Sequence, residues 1–335
     1  MKSILLFMVY YGNLPNYFNI WLNTAKNNST IEFCIITDCI KDPSTLPENI
    51  KLLYLSFEEF KEQIQNKFYF PVSIKNYGRI SQFRPALAYI FPDIVKKYDY
   101  WGFIECDLIM GDIRAFITDD ILENYDKLFK LGHFQIFKNN QKMNTLFMQK
   151  ARSALNYKFA FRQNVLFFEE VIGMHNLANA FKCKTYYKNV FADIKCYEYM
   201  FCRSPYGYSN KHVEKQCLLT YENGKLFCYS IESGKLQKEE ILYAHFQKRT
   251  MEVMTRDINK FLIIPNKFIN YQNVTLELFE SIKNCMASKE FQYRELMKEK
   301  LILAQRQRYK ELCWWKLKLI RRKIKKHGGI DLDGR

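Results

Sequence analysis

The chain has no uninterrupted apolar run of about 18 residues, so no segment reads as a helix that spans a bilayer. Its ten cysteines include no CxxC unit, which argues against a zinc knuckle or a disulfide framework and for reduced, mostly buried thiols in a cytoplasmic protein. Gly12 has no glycine partners around it; without the dinucleotide-binding fingerprint, a dehydrogenase reading falls away. Glu198, His212 and the other histidines form no protease or zinc-hydrolase motif. There is no internal repeat and no low-complexity linker that would split the chain. Met1 to Tyr10 carries one Lys and a short apolar run but no small-residue cleavage site, and reads as a first buried strand rather than a signal peptide.

What is present points to a folded α/β protein. The 335 residues are 48% hydrophobic and include 28 Phe and 23 Tyr. That is enough to bury a sizeable core as one large domain with additions or as two lobes, and to give a pocket flat walls for a base or a sugar ring. The net charge of +16 is concentrated at one end: residues 297–326 hold 12 Lys or Arg against 2 Glu. A local excess of that size acts on polyanions or an anionic bilayer.

Residues 3–10, 31–37 and 51–55 read as strands, with a helix over 16–26 between the first two and a helix after the third that starts at Ser56, answered by Glu59. Strand, helix, strand is the beginning of a Rossmann-like parallel sheet. Helical spacing around Phe83, Leu87 and Ile90 predicts a helix that starts near Phe83 or Arg84, because Pro85 is tolerated only in a first turn. Pro92 breaks it, and residues 100–104 form the next buried strand. Further helices are expected over 118–125, 139–150 and 171–181, and strands over 132–137 and 241–246. Glu222-Asn223-Gly224 marks a hairpin turn between 218–221 and 225–230. Helical spacing then dominates from Thr275 to Lys326.

The strand at 100–104 delivers Glu105-Cys106-Asp107 into a loop, and ligands of open α/β sheets bind at the carboxyl ends of strands. Two carboxylates one residue apart on an irregular strand end can converge on one hard cation, while a diphosphate supplies further oxygen ligands. By spacing alone a solvated turn is the competing reading; the apolar strand before the pair and the tight return that Gly111 allows weigh against it.

The run Trp101-Gly102-Phe103-Ile104-Glu105-Cys106-Asp107-Leu108-Ile109-Met110-Gly111-Asp112 resembles the WGxxDxDxxxGD signature of bacterial GT-A-like glycosyltransferases of capsular and surface polysaccharide biosynthesis. The resemblance extends to Tyr10-Tyr11-Gly12-Asn13-Leu14-Pro15, Phe83-Arg84-Pro85-Ala86, Gly132-His133-Phe134 and His245-Phe246-Gln247-Lys248-Arg249, and so covers roughly residues 1–255. It departs from the pattern at Glu105, where the family usually has Asp, and at Gln82, where an acidic residue often stands. The resemblance implies a GT-A-like mixed sheet flanked by helices, a nucleotide-sugar donor, and Mn²⁺ or Mg²⁺ held by Glu105 and Asp107.

Other groups are weighed against that frame. Asp38 follows the second strand, where it either satisfies a turn or faces the uracil or ribose; the loop at Tyr10, Tyr11 and Gly12 either holds the nucleoside or packs across itself. Arg84 offers a guanidinium fork to phosphate or forms an ion pair. His245, at the end of an apolar strand, is either a satisfied structural residue or the third metal ligand, with Lys248 and Arg249 neutralising the diphosphate. In Phe167-Phe168-Glu169-Glu170, which resembles an acceptor-side acidic segment, Glu170 is the choice for the base of an inverting reaction and an exposed helix start is the alternative.

Residues 1–270 are thus expected to form the catalytic domain, with 1–135 mainly on the nucleotide-sugar side and 136–270 on the acceptor side and completing the metal site. Residues 271–335 are expected to be a basic helical extension. There Trp314-Trp315 among lysines and arginines suits an anionic membrane surface on the inner face of the cell membrane; a solvated helix packed on the catalytic domain is the next reading, and nucleic acid is the least favoured partner. The leading function is transfer of a sugar from a UDP-like donor to a hydroxyl of a glycan or lipid-linked acceptor. A sugar nucleotidyltransferase and a non-enzymatic basic nucleic-acid or glycan-binding protein are the alternatives. No residue pattern selects the sugar or an oligomeric state.

Overall fold

The computed structural model describes residues 1–163, 167–194, 198–203, 215–286, 289–293, 295–298 and 302. Strands β1 (Ile4–Val9), β2 (Glu32–Thr37), β3 (Ile50–Tyr54) and β4 (Tyr100–Ile104) form the parallel part of a seven-stranded sheet. β1 lies between β2 and β4, and every residue of β1 and β4 is buried, as expected of strands covered on both faces. The next strand in chain order, β5 (Leu108–Met110), leaves this sheet, while β6 (Lys127–Leu128), β7 (Phe134–Lys138) and β8 (Thr185–Tyr186) complete it in the order β3-β2-β1-β4-β7-β6-β8. β7 runs antiparallel to β4. A side chain at Gly102 in β4 would bring a Cβ within 2.2 Å of the Gln135 carbonyl oxygen in β7, so only glycine permits this pairing.

Helix α1 (Phe18–Lys26) crosses from β1 to β2 and buries Phe18, Ile20, Trp21 and Ala25. Helix α2 (Phe57–Gln65) begins with the expected capping box: Ser56 and Glu59 each accept from the other's backbone N–H, and Phe60 and Ile64 are buried. The segment around Pro85 differs from expectation. It is a 3-10 turn from Ser81 to Ala86, continued as α-helix over Leu87–Ile90, so the helical backbone starts before Pro85 rather than at its neighbour. The tighter i to i+3 bonding accommodates a residue without an N–H. The expected helix at 171–181 is a π-turn over Val171–His175 followed by α-helix over Asn176–Ala180, and the one at 139–150 is two short turns, Gln141–Asn144 and Leu146–Met148.

The later strands are β9 (Ala192–Asp193), β10 (Cys202–Arg203), β11 (Lys215–Gln216), β12 (Leu218–Glu222), β13 (Lys225–Glu232), β14 (Lys235–Ile241), β15 (Tyr243–His245), β16 (Glu252–Val253), β17 (Lys260–Ile264) and β18 (Lys267–Asn270). Six of them build a second sheet in the order β14-β13-β12-β17-β18-β16. The hairpin between β12 and β13 turns at Asn223 and Gly224, both at positive φ, as a two-residue turn requires. A three-stranded sheet, β5-β15-β9, ties the two halves together: β15 pairs antiparallel with β5 and parallel with β9.

The fold is therefore mixed α/β, with parallel strands, an antiparallel continuation and flanking helices. Two compact units are distinguished. One takes in residues 1–196 and 200–283 and holds all the strands above; the other takes in 197–199 and 284 onward. In the second, residues 289–293 and 295–298 are helical, and the Tyr199 and Tyr293 rings meet edge to face. Trp314, Trp315 and the basic residues from Lys316 to Lys326 lie outside the described residues. No helix among the described residues is long and apolar enough to cross a membrane.

Candidate metal centre

Glu105, Cys106 and Asp107 form the link between β4 and β5, and the main chain around them is held from three sides. The Glu105 N–H donates to the His133 carbonyl oxygen (3.0 Å), the indole N–H of Trp21 donates to the Glu105 carbonyl oxygen (3.1 Å), and the Phe246 N–H donates to the Asp107 carbonyl oxygen (2.9 Å). Just beyond, Asn28 clamps the return. Its amide donates to the Gly111 carbonyl oxygen and its own oxygen accepts from the Ile113 N–H, while Asp112 caps the turn that follows. The Gly-Asp end of the acidic run thus has a structural task.

Those carboxylates converge on one imidazole. His245 Nε2 lies 3.1 Å from Glu105 Oε2 and 3.6 Å from Asp107 Oδ1. One ligand atom from each of the three residues falls within 4.8 Å of the others. Two ligands at right angles about a cation some 2.1 Å away stand about 3 Å apart, so the spacing suits a small divalent ion. The donor set, two carboxylate oxygens and one ring nitrogen, suits Mn²⁺ better than Mg²⁺, which prefers oxygen alone. The charges of the cluster act strongly on one another. Burial works against ionisation of Glu105, but the Arg84 guanidinium and the His245 ring outweigh it and hold the carboxyl well below its usual range. Burial likewise opposes charge on His245, and Asp107, Asp193 and Glu105 overcome it and hold the ring's proton well above the ordinary histidine range.

Glu105, Asp107 and Cys106 line a cavity of about 1030 Å³ walled also by the Tyr10–Asn13 loop, Tyr17, Tyr77, Arg84, Glu169, Glu170 and the 248–250 segment. Three buried polar atoms on residues of this wall, the hydroxyls of Tyr11 and Tyr17 and Oε2 of Glu169, have no hydrogen-bond partner among the described residues. A shallower groove of about 890 Å³ beside α1, lined by Asn19, Asn23, Lys26, Glu48 and Asn49 among others, has no such convergence of carboxylates and imidazole among the described residues.

Glu169 and Glu170 add two further carboxyl groups to the cavity's lining. Glu170 Oε1 accepts from the Gly132 N–H (3.1 Å); burial and the neighbouring Glu169 push its carboxyl up to about 8. Burial raises Glu169 as well, against the pull of Arg84. A Cβ at Gly132 would come within 2.8 Å of Glu170 Oε1, so the glycine before His133 leaves room for this carboxylate.

Other residues singled out in the sequence are placed as follows. Arg84 Nη1 pairs with Glu105 Oε1 (2.6 Å) and donates to the Gly132 carbonyl oxygen (2.9 Å), so its guanidinium joins the acidic loop to the Gly132 segment. Gln82, in the departure from the family pattern, is buried with its amide 3.5 Å from the Ser73 carbonyl oxygen. Tyr10 donates to the Asn13 carbonyl oxygen (2.6 Å). The Tyr11 ring packs among Phe57, Phe60 and Tyr77. Gly12 takes φ +100°, and a Cβ there would press on Tyr77. Asp38 does not line the cavity; its carboxylate accepts from the Cys39 thiol. Lys248 reaches the centre through its backbone, whose N–H donates to Asp107 Oδ2 (2.7 Å), while its side chain is exposed. Arg249 is buried, its guanidinium over the Phe201 ring and bonded to Asn266.

Asp193 and Tyr17 were not singled out from the sequence, and His133 entered only within the Gly132-His133-Phe134 match. Asp193 Oδ1 meets His245 Nδ1 at 2.8 Å, and the His133 ring stacks on that of His245 at 4.4 Å. The available signal was a carboxylate inside the apolar run Phe191-Ala192-Asp193-Ile194, which only a buried partner justifies.

A model of DUF6625, a family of unknown function, matches residues 6–272, a span that holds every residue of the centre. The chain belongs to this family. No curated protein matches its sequence. Among solved structures, a crystal structure of the galactosyltransferase LgtC in complex with donor and acceptor sugar analogues is similar over 56% of this chain and 75% of that one, at 10% identity and a TM-score of 0.33. A likeness of that extent speaks to neither substrate nor mechanism.

Proposed function

We propose that this member of the DUF6625 family is a metal-dependent glycosyltransferase that moves a sugar from a nucleotide-sugar, a UDP-sugar in the first instance, to a hydroxyl of a glycan or lipid-linked acceptor in surface polysaccharide synthesis. The observation that carries the reading is the convergence of His245 on Glu105 and Asp107, two carboxylates that follow the parallel strand β4 and line a large cavity. The resemblance of the acidic run to the glycosyltransferase signature supports the sugar chemistry, and residues 1–270 are taken as the catalytic part.

A divalent cation held by these three residues supplies a Lewis acid that takes up the charge of the leaving diphosphate. The chain does the rest. Glu105 and Asp107 are fixed through their main chain, so they need no rearrangement to hold charge at this point. Arg84 keeps Glu105 ionised and aimed. Tyr10, Tyr11 and Gly12 at the end of β1 form the nucleoside side, without Asp38, which does not line the cavity, and the Lys248–Arg249 segment borders the diphosphate. Glu170, also on the cavity's lining, removes the proton of the acceptor hydroxyl on an inverting course; a carboxyl that titrates near 8 is a stronger base than an ordinary one and is still ionised in part at neutral pH.

The decisive experiment is a panel of nucleotide-sugars with and without Mn²⁺, followed by released nucleoside diphosphate and by NMR of the product. Metal-dependent release with one donor and a new glycosidic linkage is expected. Formation of a nucleotide-sugar from sugar phosphate and nucleoside triphosphate would overturn transfer in favour of nucleotidyl chemistry. For the tail we propose contact with anionic lipid at the inner membrane face. Deletion of residues 297–335 should abolish sedimentation with anionic vesicles, and equal sedimentation of both forms would refute it.

A further inference from the structure

We propose that Asp193 is a positioning residue for His245: its carboxylate engages Nδ1 of the imidazole so that Nε2 is presented to Glu105 and Asp107. The inference rests on the metal-centre reading above and goes beyond it to a residue outside the ligand set.

Four observations place Asp193 in this role. In the parallel pairing of β9 with β15, Asp193 stands directly opposite His245, and the Ile194 N–H donates to the His245 carbonyl oxygen at 2.9 Å, so backbone register sets the two side chains against each other. His245 Nδ1 is 2.8 Å from Asp193 Oδ1. The same oxygen accepts from the Gln247 side-chain amide at 2.9 Å, which fixes the carboxylate from the other side. Finally, His133 stacks on the imidazole at 4.4 Å and is itself held by the Tyr243 hydroxyl at 2.8 Å from its Nδ1. The imidazole thus has one face covered and one nitrogen occupied, and the remaining nitrogen faces two carboxylates. A carboxylate behind a metal-binding histidine selects the tautomer and makes the ring a better ligand.

Asp193 is close enough to His133 and His245 to serve as a ligand itself. Two features favour the positioning role. Its Oδ1 is already engaged by two nitrogen donors, and a cation there would meet a single carboxylate, whereas the Glu105–Asp107 side offers two.

The test uses the full chain and Mn²⁺ alone, with free ion counted by its EPR signal and the bound ion examined for coupling to an imidazole nitrogen. Wild type is expected to bind Mn²⁺ with such a coupling, and His245→Ala to lose it. Asp193→Ala should weaken the Kd by about 10- to 100-fold. Asp193→Asn keeps an oxygen that can accept from Nδ1–H and from Gln247, and should weaken it by only about 3- to 10-fold, with the nitrogen coupling intact. Gln247→Ala should lie between wild type and Asp193→Asn. Unchanged affinity in Asp193→Ala beside a loss in His245→Ala overturns the inference and leaves the metal centre standing. Equal losses in Asp193→Asn and Asp193→Ala also overturn it, by making Asp193 a ligand. If Asp193→Ala does not fold, wild-type affinity in both Asp193→Asn and Gln247→Ala overturns it instead. A wild-type chain that binds no Mn²⁺ removes the metal reading and this inference together.

Discussion

The two halves of the candidate metal centre are built by different means. The Glu105–Asp107 half lies at the end of β4, a strand whose apolar run and position beside β1 follow from local pattern. The His245 half is a three-residue strand that matters only because it pairs with β5 on one side and β9 on the other. The first half carries charge into the cavity through a loop pinned by its own backbone. The second is oriented from behind, by Asp193 and His133. A site divided in this way can lose either its ligands or their aim.

The largest expected effects come from removing a ligand from either half. Asp107→Ala and His245→Ala should each lower Mn²⁺-dependent turnover by about 10³-fold, as measured by nucleoside diphosphate release, since each removes charge stabilisation at the reacting diphosphate. If one falls and the other does not, the two halves do not form one centre. Glu170→Gln should cost about 10²-fold. In wild type, turnover should rise with pH through about 8 as this carboxyl ionises, and the substitution should abolish that limb. Stability should move the opposite way. The carboxyl is raised from its usual 4.5 to about 8 in the folded chain, so the proton held on folding stabilises fully below 4.5 and that contribution is lost as pH climbs to 8. Glu170→Gln should therefore melt higher than wild type near pH 8 and show little difference near pH 4.

Smaller effects separate scaffold from site. Gly102→Ala must displace either the Gln135 carbonyl, 2.2 Å from the new Cβ, or the strand itself, and should lower stability by roughly 2–3 kcal/mol in denaturant unfolding. Loss of turnover in that variant should track its unfolded fraction. Ser56→Ala removes one side of the α2 capping box and should cost about 1 kcal/mol while leaving turnover unchanged, because α2 brings no charged group to the centre. A marked change in turnover there would show that the parallel half is coupled to the site more tightly than its geometry indicates.

The parallel strands, α1 and the α2 capping box were legible because each rests on neighbours in sequence: continuous apolar runs, a helical stripe, and Ser and Glu three apart. The acidic pair and His245 were legible as residues, the latter through the His-Phe-Gln-Lys-Arg segment that resembles the glycosyltransferase pattern. Around Pro85 and Val171 the helical spacing was right in kind, and the chain resolves it as 3-10 and π turns because tertiary packing sets the hydrogen-bonding register there. The roles of Arg84 and Arg249 depend on partners far along the chain, Glu105 for one and Phe201 and Asn266 for the other, which no local pattern supplies.

By itself the sequence determined an α/β chain with a run of parallel strands and two carboxylates carried to a strand end, since apolar periodicity and strand termini are properties of short segments. Only the tertiary structure decided that His245 stands against those carboxylates with Asp193 behind it. That meeting depends on the pairing of β5, β15 and β9, and strand pairing between distant segments is set by the packing of the whole core, not by either segment alone.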